Sequence, residues 1–311
     1  MAMQGGNRMF QGYLAITVCV VGISFSPLFY RLGFLTGLNA LWLNVFRLAF
    51  TVVIMAGITF LNPKYRKEIF SVPRRSFWIS ALAGTLLAFH LNGWALSLVY
   101  TDAFAASTIL GTYVLLTVLF SALILKEKTT RGALIGLVIA TAGVVVCNLG
   151  GGFGRLSGNM FALFAAVTEA LYVLCGRKAR ENMSAVSYTM ILYSFTLFWM
   201  IVTALVMGVP QSVPAEGLFW GLMLAIVSTL LGHSMASVSL KYFKAATVSA
   251  IMMSGIITGP LIVMLFLSDP PSLYSLVGGC IILVGLTWYM IVEQRDRKQA
   301  AQAAIAESIT E

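Results

Sequence analysis

The sequence predicts an all-α integral membrane protein: ten transmembrane helices arranged as two inverted five-helix repeats, with both termini cytoplasmic. Three observations predict it. The 311 residues are 59% hydrophobic and only 10% charged, against roughly 25% charged residues in soluble domains. The apolar residues gather into runs long enough to span a bilayer. The second half of the chain repeats the first.

A span needs about 20 mostly apolar residues. The chain offers ten such runs, at 12–30, 38–61, 77–98, 103–125, 131–149, 156–176, 187–208, 217–237, 245–267 and 273–292. The connections leave no room for a folded soluble domain. The first run exceeds the 7–15 residues typical of a signal-peptide core and no A-x-A site follows it, so it reads as an uncleaved first helix. The expected organisation is a first repeat over 12–149, a second over 156–292 and a cytoplasmic tail over 293–311, short helix or disorder.

Orientation follows from Lys and Arg, which concentrate on cytoplasmic loops. With the N-terminus inside, 17 of the 20 basic residues fall on inner segments; Arg31 and Arg155 fall outside, and Arg47 lies within a span. The net charge of +9 therefore reads as a topology signal, and no nucleic-acid partner is expected. The expected partners are the lipid bilayer and a small-molecule substrate, with a homodimer possible. The four cysteines lie in apolar runs without zinc-like spacing and read as small buried hydrophobes. No metal or cofactor is expected.

A shift of 142 residues lays FWISALAG (77–84) on FWGLMLAI (219–226) and ALSLVYTDAFAASTI (95–109) on SVSLKYFKAATVSAI (237–251). Gly136 meets Gly278 and Gly143 meets Gly285, and 13 of 49 positions are identical across 95–143. Five spans per repeat is odd, so the second copy enters the membrane upside down. The charges agree: LKEK (125–128) becomes LSDP (267–270), while Val99 and Asp102 become Lys241 and Lys244. Inverted repeats are a mark of secondary transporters, with substrate near the midplane between the halves.

The stretch ALSLVYTDAFAASTIL…LILKEKTTRGALIGLVIATAGVVV resembles the EamA domain of the drug/metabolite transporter superfamily, more closely in the first copy than in the second. NVFRLAF (44–50) looks like that family's arginine in the second helix. The resemblance implies ten helices, with helices 1–4 and 6–9 around a cavity and helices 5 and 10 at the side. It implies transport of metabolites, amino acids or drugs, often outward. Two positions depart from the family's habit: Val114 stands where many members have proline, and Glu169 where many have an aromatic.

Charge at mid-bilayer costs about 2.5–3.5 kcal/mol or more, so ionisable residues there face the bundle interior. Glu169 lies 13 residues into span 6, about 20 Å deep at 1.5 Å per residue, with Tyr172 on its face. It reads as a substrate-cation contact or a protonatable coupling site, or as a structural glutamate paired to Arg47 or a histidine. Arg47, with Asn44 beside it, reads as a substrate-carboxylate ligand, a structural ion-pair partner or a snorkelling side chain. His90 and His233, the only histidines, sit at similar depth in the two copies. They can carry protons or be neutral core residues. Trp94 and Tyr113, like Tyr172, can hold a cation over a ring face or simply pack. Pro27, beside Ser24 and Ser26, is positioned to kink helix 1. Gly255, Gly259 and Pro260 are positioned to loosen helix 9.

The expected function is a secondary active transporter in a bacterial cytoplasmic (inner) membrane. It would move a small amphipathic metabolite, an amino acid or amine, outward by alternating access. The alternatives are an importer or exporter of an organic cation (a choline-like amine or drug) and a non-transporting membrane subunit. No HExxH, Gly-x-Ser-x-Gly or paired Asp/His cluster argues for an enzyme, and no P-loop argues for a primary pump.

Overall fold

The computed structural model describes residues 2–125, 131–149, 153–210, 214–239, 252 and 254–310. The described residues are helical almost throughout. The first span is broken into α1 (Ala2–Ser24) and α2 (Ser26–Leu35). The break at Phe25 follows from Pro27, which has no N–H to continue the ladder. There follow α3 (Ala40–Leu61), a short α4 (Pro63–Phe70) and α5 (Arg74–Tyr100). The fourth span is also broken, at Thr112, into α6 (Ala103–Gly111) and α7 (Tyr113–Leu125). Then come α8 (Arg131–Asn148), α9 (Phe153–Ala179) and α10 (Ala185–Val206). The eighth span is composite: α11 (Ala215–Met223), a π-helix (Leu224–Ser234) and α12 (Met235–Ser239). Last are α13 (Ser254–Leu267) and α14 (Leu273–Thr310).

Eight of these helices are long and apolar enough to cross a membrane by length and composition. Two shorter apolar helices, Leu134–Asn148 and Ser254–Leu267, stand where the fifth and ninth spans are expected. Large apolar side chains such as Val53, Val138, Leu205 and Leu265 are exposed around the rim, which a multi-pass membrane protein turns to lipid. The tail expected from residue 293 is helical to Thr310 and continuous with the tenth span. Lys126, Lys128, Lys241 and Lys244, and most of the second repeat's SLKYFKAATVSAI, lie outside the described residues.

Polar side chains set the helix starts. Asn39 accepts from Leu41 N at 2.9 Å, Asn62 from Lys64 N at 3.0 Å, Asp102 from Ala105 N at 2.8 Å and Ser184 from Ser187 N at 3.2 Å. Each satisfies a first-turn N–H that has no partner within its own helix.

The two halves interlock reciprocally. α9, which opens the second half, lies along α5, the third span of the first. Conversely α1, which opens the first half, lies along the π-helix in the third span of the second. α3 packs on α10, α6 on α13 and α8 on α14, each helix on its counterpart. Glycine makes the last contact possible. A Cβ added at Gly136 would lie 2.8 Å from Gly285 O, and one at Gly285 would lie 2.7 Å from Gly136 O. Gly143 and Gly278 oppose each other's carbonyl oxygens in the same way at 2.6 Å. The pairing runs the two helices antiparallel with backbones in contact. Close packing is what holds helices together where lipid offers no hydrophobic drive between them.

Candidate functional site

A cavity of about 820 Å³, counted to its open mouth, sits between the halves. Its lining comes from α1, α2, α3, α5, α6, α7, α9, the π-helix, Met252 and α13. The described residues of the fifth, seventh and tenth spans contribute nothing to it, so span 7 departs from the expected ring. Six of the eight sequence-predicted site residues line it: Arg47, His90, Trp94, Tyr113, Glu169 and His233.

Glu169 projects from α9, is 8% exposed, and sets Oε2 3.4 Å from His90 Nδ1 on α5. Oε2 has no hydrogen-bond partner among the described residues. His90 Nδ1 lies 3.0 Å from Ala165 O. A carbonyl oxygen only accepts, so this contact puts a ring hydrogen on Nδ1. The partner of Glu169 is therefore the histidine. The alternative pairing with Arg47 is not made: among the described residues no carboxylate lies within ion-pair distance of Arg47.

Arg47 is 1% exposed. Its Nε donates to Thr229 Oγ1 at 2.7 Å and its Nη1 to Tyr30 OH at 2.8 Å. The guanidinium also faces the Tyr30 ring at 5.7 Å. Tyr30 OH in turn donates to Asn44 Oδ1 at 2.5 Å. Asn44 Nδ2 donates to Leu91 O and Asn92 Oδ1, both at 3.0 Å. This chain of hydrogen bonds ties together α2, α3, α5 and the π-helix. Snorkelling of Arg47 is excluded by its burial.

Two expected site residues are not on the cavity wall. Asn44 shares a face with Arg47, but its amide is engaged behind the guanidinium. Tyr172 packs against the main core of the first half and α10. Tyr30 and Thr229, which hold the arginine, have no sequence signature: one is an ordinary aromatic beyond a proline, the other one hydroxyl among several. Thr229 Oγ1 donates to Leu224 O, five residues back, at 3.1 Å, within the π-helix. Such wide turns recur at functional sites, and Ser228 and His233 reach the cavity from this one.

Two ion pairs join the halves away from the cavity wall. Asp102 at the start of α6 pairs with Arg155 of α9, and Ser275 Oγ of α14 donates to Asp102 Oδ2 at 2.5 Å. Arg31 pairs with Asp269 at 3.0 Å and donates to Thr101 O at 2.9 Å. Both pairs join the first half to the second.

The profile of the EamA-like transporter family matches residues 10–149 and again 156–291. The chain is 23% identical to an uncharacterized transporter of Clostridium kluyveri, over 83% of this chain and 88% of that protein. It is 24% identical to an uncharacterized transporter of Archaeoglobus fulgidus (91% and 98%) and 24% identical to YetK of Bacillus subtilis, also an uncharacterized transporter (86% and 81%). A solved crystal structure superimposes with a TM-score of 0.60 at 16% identity, over 92% of this chain and 98% of that one. That likeness concerns the fold.

Proposed function

This chain belongs to the EamA-like transporter family, and from that premise we propose a secondary active transporter. It carries a small amphipathic metabolite, an amino acid or related amine, outward across the cytoplasmic membrane of a bacterium by alternating access. The observation that carries this reading is the cavity between the halves with a buried carboxylate, Glu169, set against His90 on its wall.

In this reading the halves are inverted repeats, ten helices span the bilayer, and both termini are cytoplasmic. The antiparallel glycine contact between α8 and α14 supports the inversion, and the bias of the basic residues supports the orientation. The two halves rock about the cavity. Arg31–Asp269 and Arg155–Asp102 hold one end shut and separate when that end opens. The Glu169–His90 pair binds the ammonium of the substrate or carries a proton. Trp94 and Tyr113 on the same wall favour a second cargo, an organic cation held by rings and carboxylate. A non-transporting subunit would need no charged cavity.

Uptake by proteoliposomes, over a panel of amino acids and amines with and without a pH gradient, tests the proposal. At least one solute is expected to enter faster than into protein-free liposomes. A panel that moves no faster than the blank contradicts transport.

A further inference from the structure

Arg47 carries a full positive charge inside an apolar protein and has no counter-ion among the described residues. The ion pairs there join Arg31 to Asp269, His90 to Glu169 and Arg155 to Asp102. The chain has eleven acidic residues, and Glu169 is the one set within an apolar run. That carboxylate lies against His90. A charge taken out of water is tolerated when it is both hydrogen-bonded and paired. Arg47 has the first condition and lacks the second.

Its hydrogen bonds show what is missing. Nε and Nη1 donate to two neutral hydroxyls, Thr229 and Tyr30, which orient the fork without neutralising it. Each hydroxyl has its own hydrogen engaged elsewhere, Tyr30 with Asn44 Oδ1 and Thr229 with Leu224 O. Both therefore turn lone pairs to the guanidinium and hold its plane. Nη2 has no acceptor among the described residues, and Arg47 borders the cavity. The result is a donor fork fixed at two of its five N–H groups on the border of the cavity, with no counter-ion among the described residues.

We infer that Arg47 is the anion subsite of this cavity, and that the solute it admits carries a carboxylate that accepts from Nη2 and supplies the missing charge. This rests on the transport reading, which leaves amino acids and simple amines both open. On the same wall Glu169 Oε2, 3.4 Å from His90 Nδ1 and without a hydrogen bond of its own among the described residues, takes the ammonium. An amino acid brings the carboxylate that Arg47 lacks. An amine satisfies Glu169 alone and leaves Arg47 buried and unneutralised, and that difference is the selectivity. Tyr30 is a positioning residue: it acts on the solute only through Arg47.

The test uses the purified full-length chain in chloride-free buffer. Thermal unfolding is followed while leucine, phenylalanine, threonine and lysine are each titrated against the amine left by removing the carboxyl group. At least one amino acid is expected to half-saturate at a concentration roughly 30-fold or more below its amine, the discrimination typical of a desolvated charge pair. Arg47→Gln is expected to shrink that ratio to about threefold. Tyr30→Phe keeps the charge but frees the fork; it is expected to weaken the amino acid by about fivefold and leave the amine unchanged. If Arg47→Gln does not fold, Tyr30→Phe decides. Amines that bind as well as their parent acids would overturn the inference. So would a preference intact in every folded variant, equal stabilisation by chloride alone, or no response to any of the four acids. Proteoliposome flux separates the two readings. Carboxylate-dependent binding without flux contradicts transport and leaves the subsite standing. Flux of amines in place of amino acids does the reverse.

Discussion

Two helix pairs of this protein occupy matching places and do different things. In one, α5 lies along α9; in the other, the π-helix lies along α1. The 142-residue shift carries His90 onto Gly232. Glu169 of α9 faces His90, and Ile23 of α1 faces Gly232. In the first pair His90 meets Glu169 at 3.4 Å. In the second, a Cβ at Gly232 would sit 2.9 Å from Ile23 Cγ2. One junction holds an acid–base pair, and its mate holds a bare glycine pressed on an isoleucine. The repeated frame supplies the two-way packing, while only one of these two junctions holds an acid–base pair.

The comparison breaks most sharply at its charged side. Glu169→Gln removes the only carboxylate on the cavity wall among the described residues. It is expected to cut transport by about 100-fold, read as initial uptake rate. Ile23→Ala, at the matching place, is expected to change the rate by less than about threefold, because it removes packing and no charge. Equal losses in the two variants would erase the distinction between the junctions.

Next in size is His90→Ala. The residue orients Glu169 without replacing its charge, so a loss of about tenfold in uptake is expected, with Glu169 still reactive to a cationic substrate. A variant indistinguishable from the parent would return His90 to the role of a neutral core residue.

The third prediction sharpens the symmetric part of the frame. Gly143→Ala and Gly278→Ala each drive a methyl group into the opposing helix backbone. Both are expected to destabilise by about 1–3 kcal/mol and by similar amounts, as overpacking does. Thermal unfolding in detergent reads this directly. A large loss in one and none in the other would mean that the two contacts are not equivalent.

The smallest effect is expected at the closed end. Asp102→Asn weakens a half-buried pair with Arg155, about 1 kcal/mol or less. The expected sign is more opening at that end. A second substitution, Ser107→Cys on the cavity wall, should be labelled by an impermeant thiol reagent a few-fold faster when combined with Asp102→Asn than alone. Unchanged labelling would remove the ion pairs from the gating account.

The parts of this arrangement legible in the sequence are those governed by one-dimensional rules. Apolar runs mark the spans. A lone carboxylate, a lone guanidinium and two histidines inside such runs must turn inward, and all four line the cavity. The unreadable parts depend on where helices from the two halves meet. Nothing along the chain says that Glu169 faces His90 rather than Arg47, because α9 and α5 are brought together only by the interlock. Tyr30 becomes a positioning group only once α2 lies against α3. The π-helix also escapes a reading based on a 3.6-residue period. It is consistent with His233 standing one residue off the repeat mate of His90. Asn44 and Tyr172 share helix faces with charged neighbours. A helix face is wide enough to hold both a wall residue and one packed behind it, and these two are the latter.

The central claim is that the charged junction of Glu169 and His90, and not the uncharged one at Ile23 and Gly232, holds the cationic end of the solute. Uptake into proteoliposomes measured side by side for the parent, Glu169→Gln and Ile23→Ala tests it most directly. The account predicts uptake by the parent and by Ile23→Ala, and near-background uptake by a folded Glu169→Gln. Uptake by Glu169→Gln at the parental rate would contradict it.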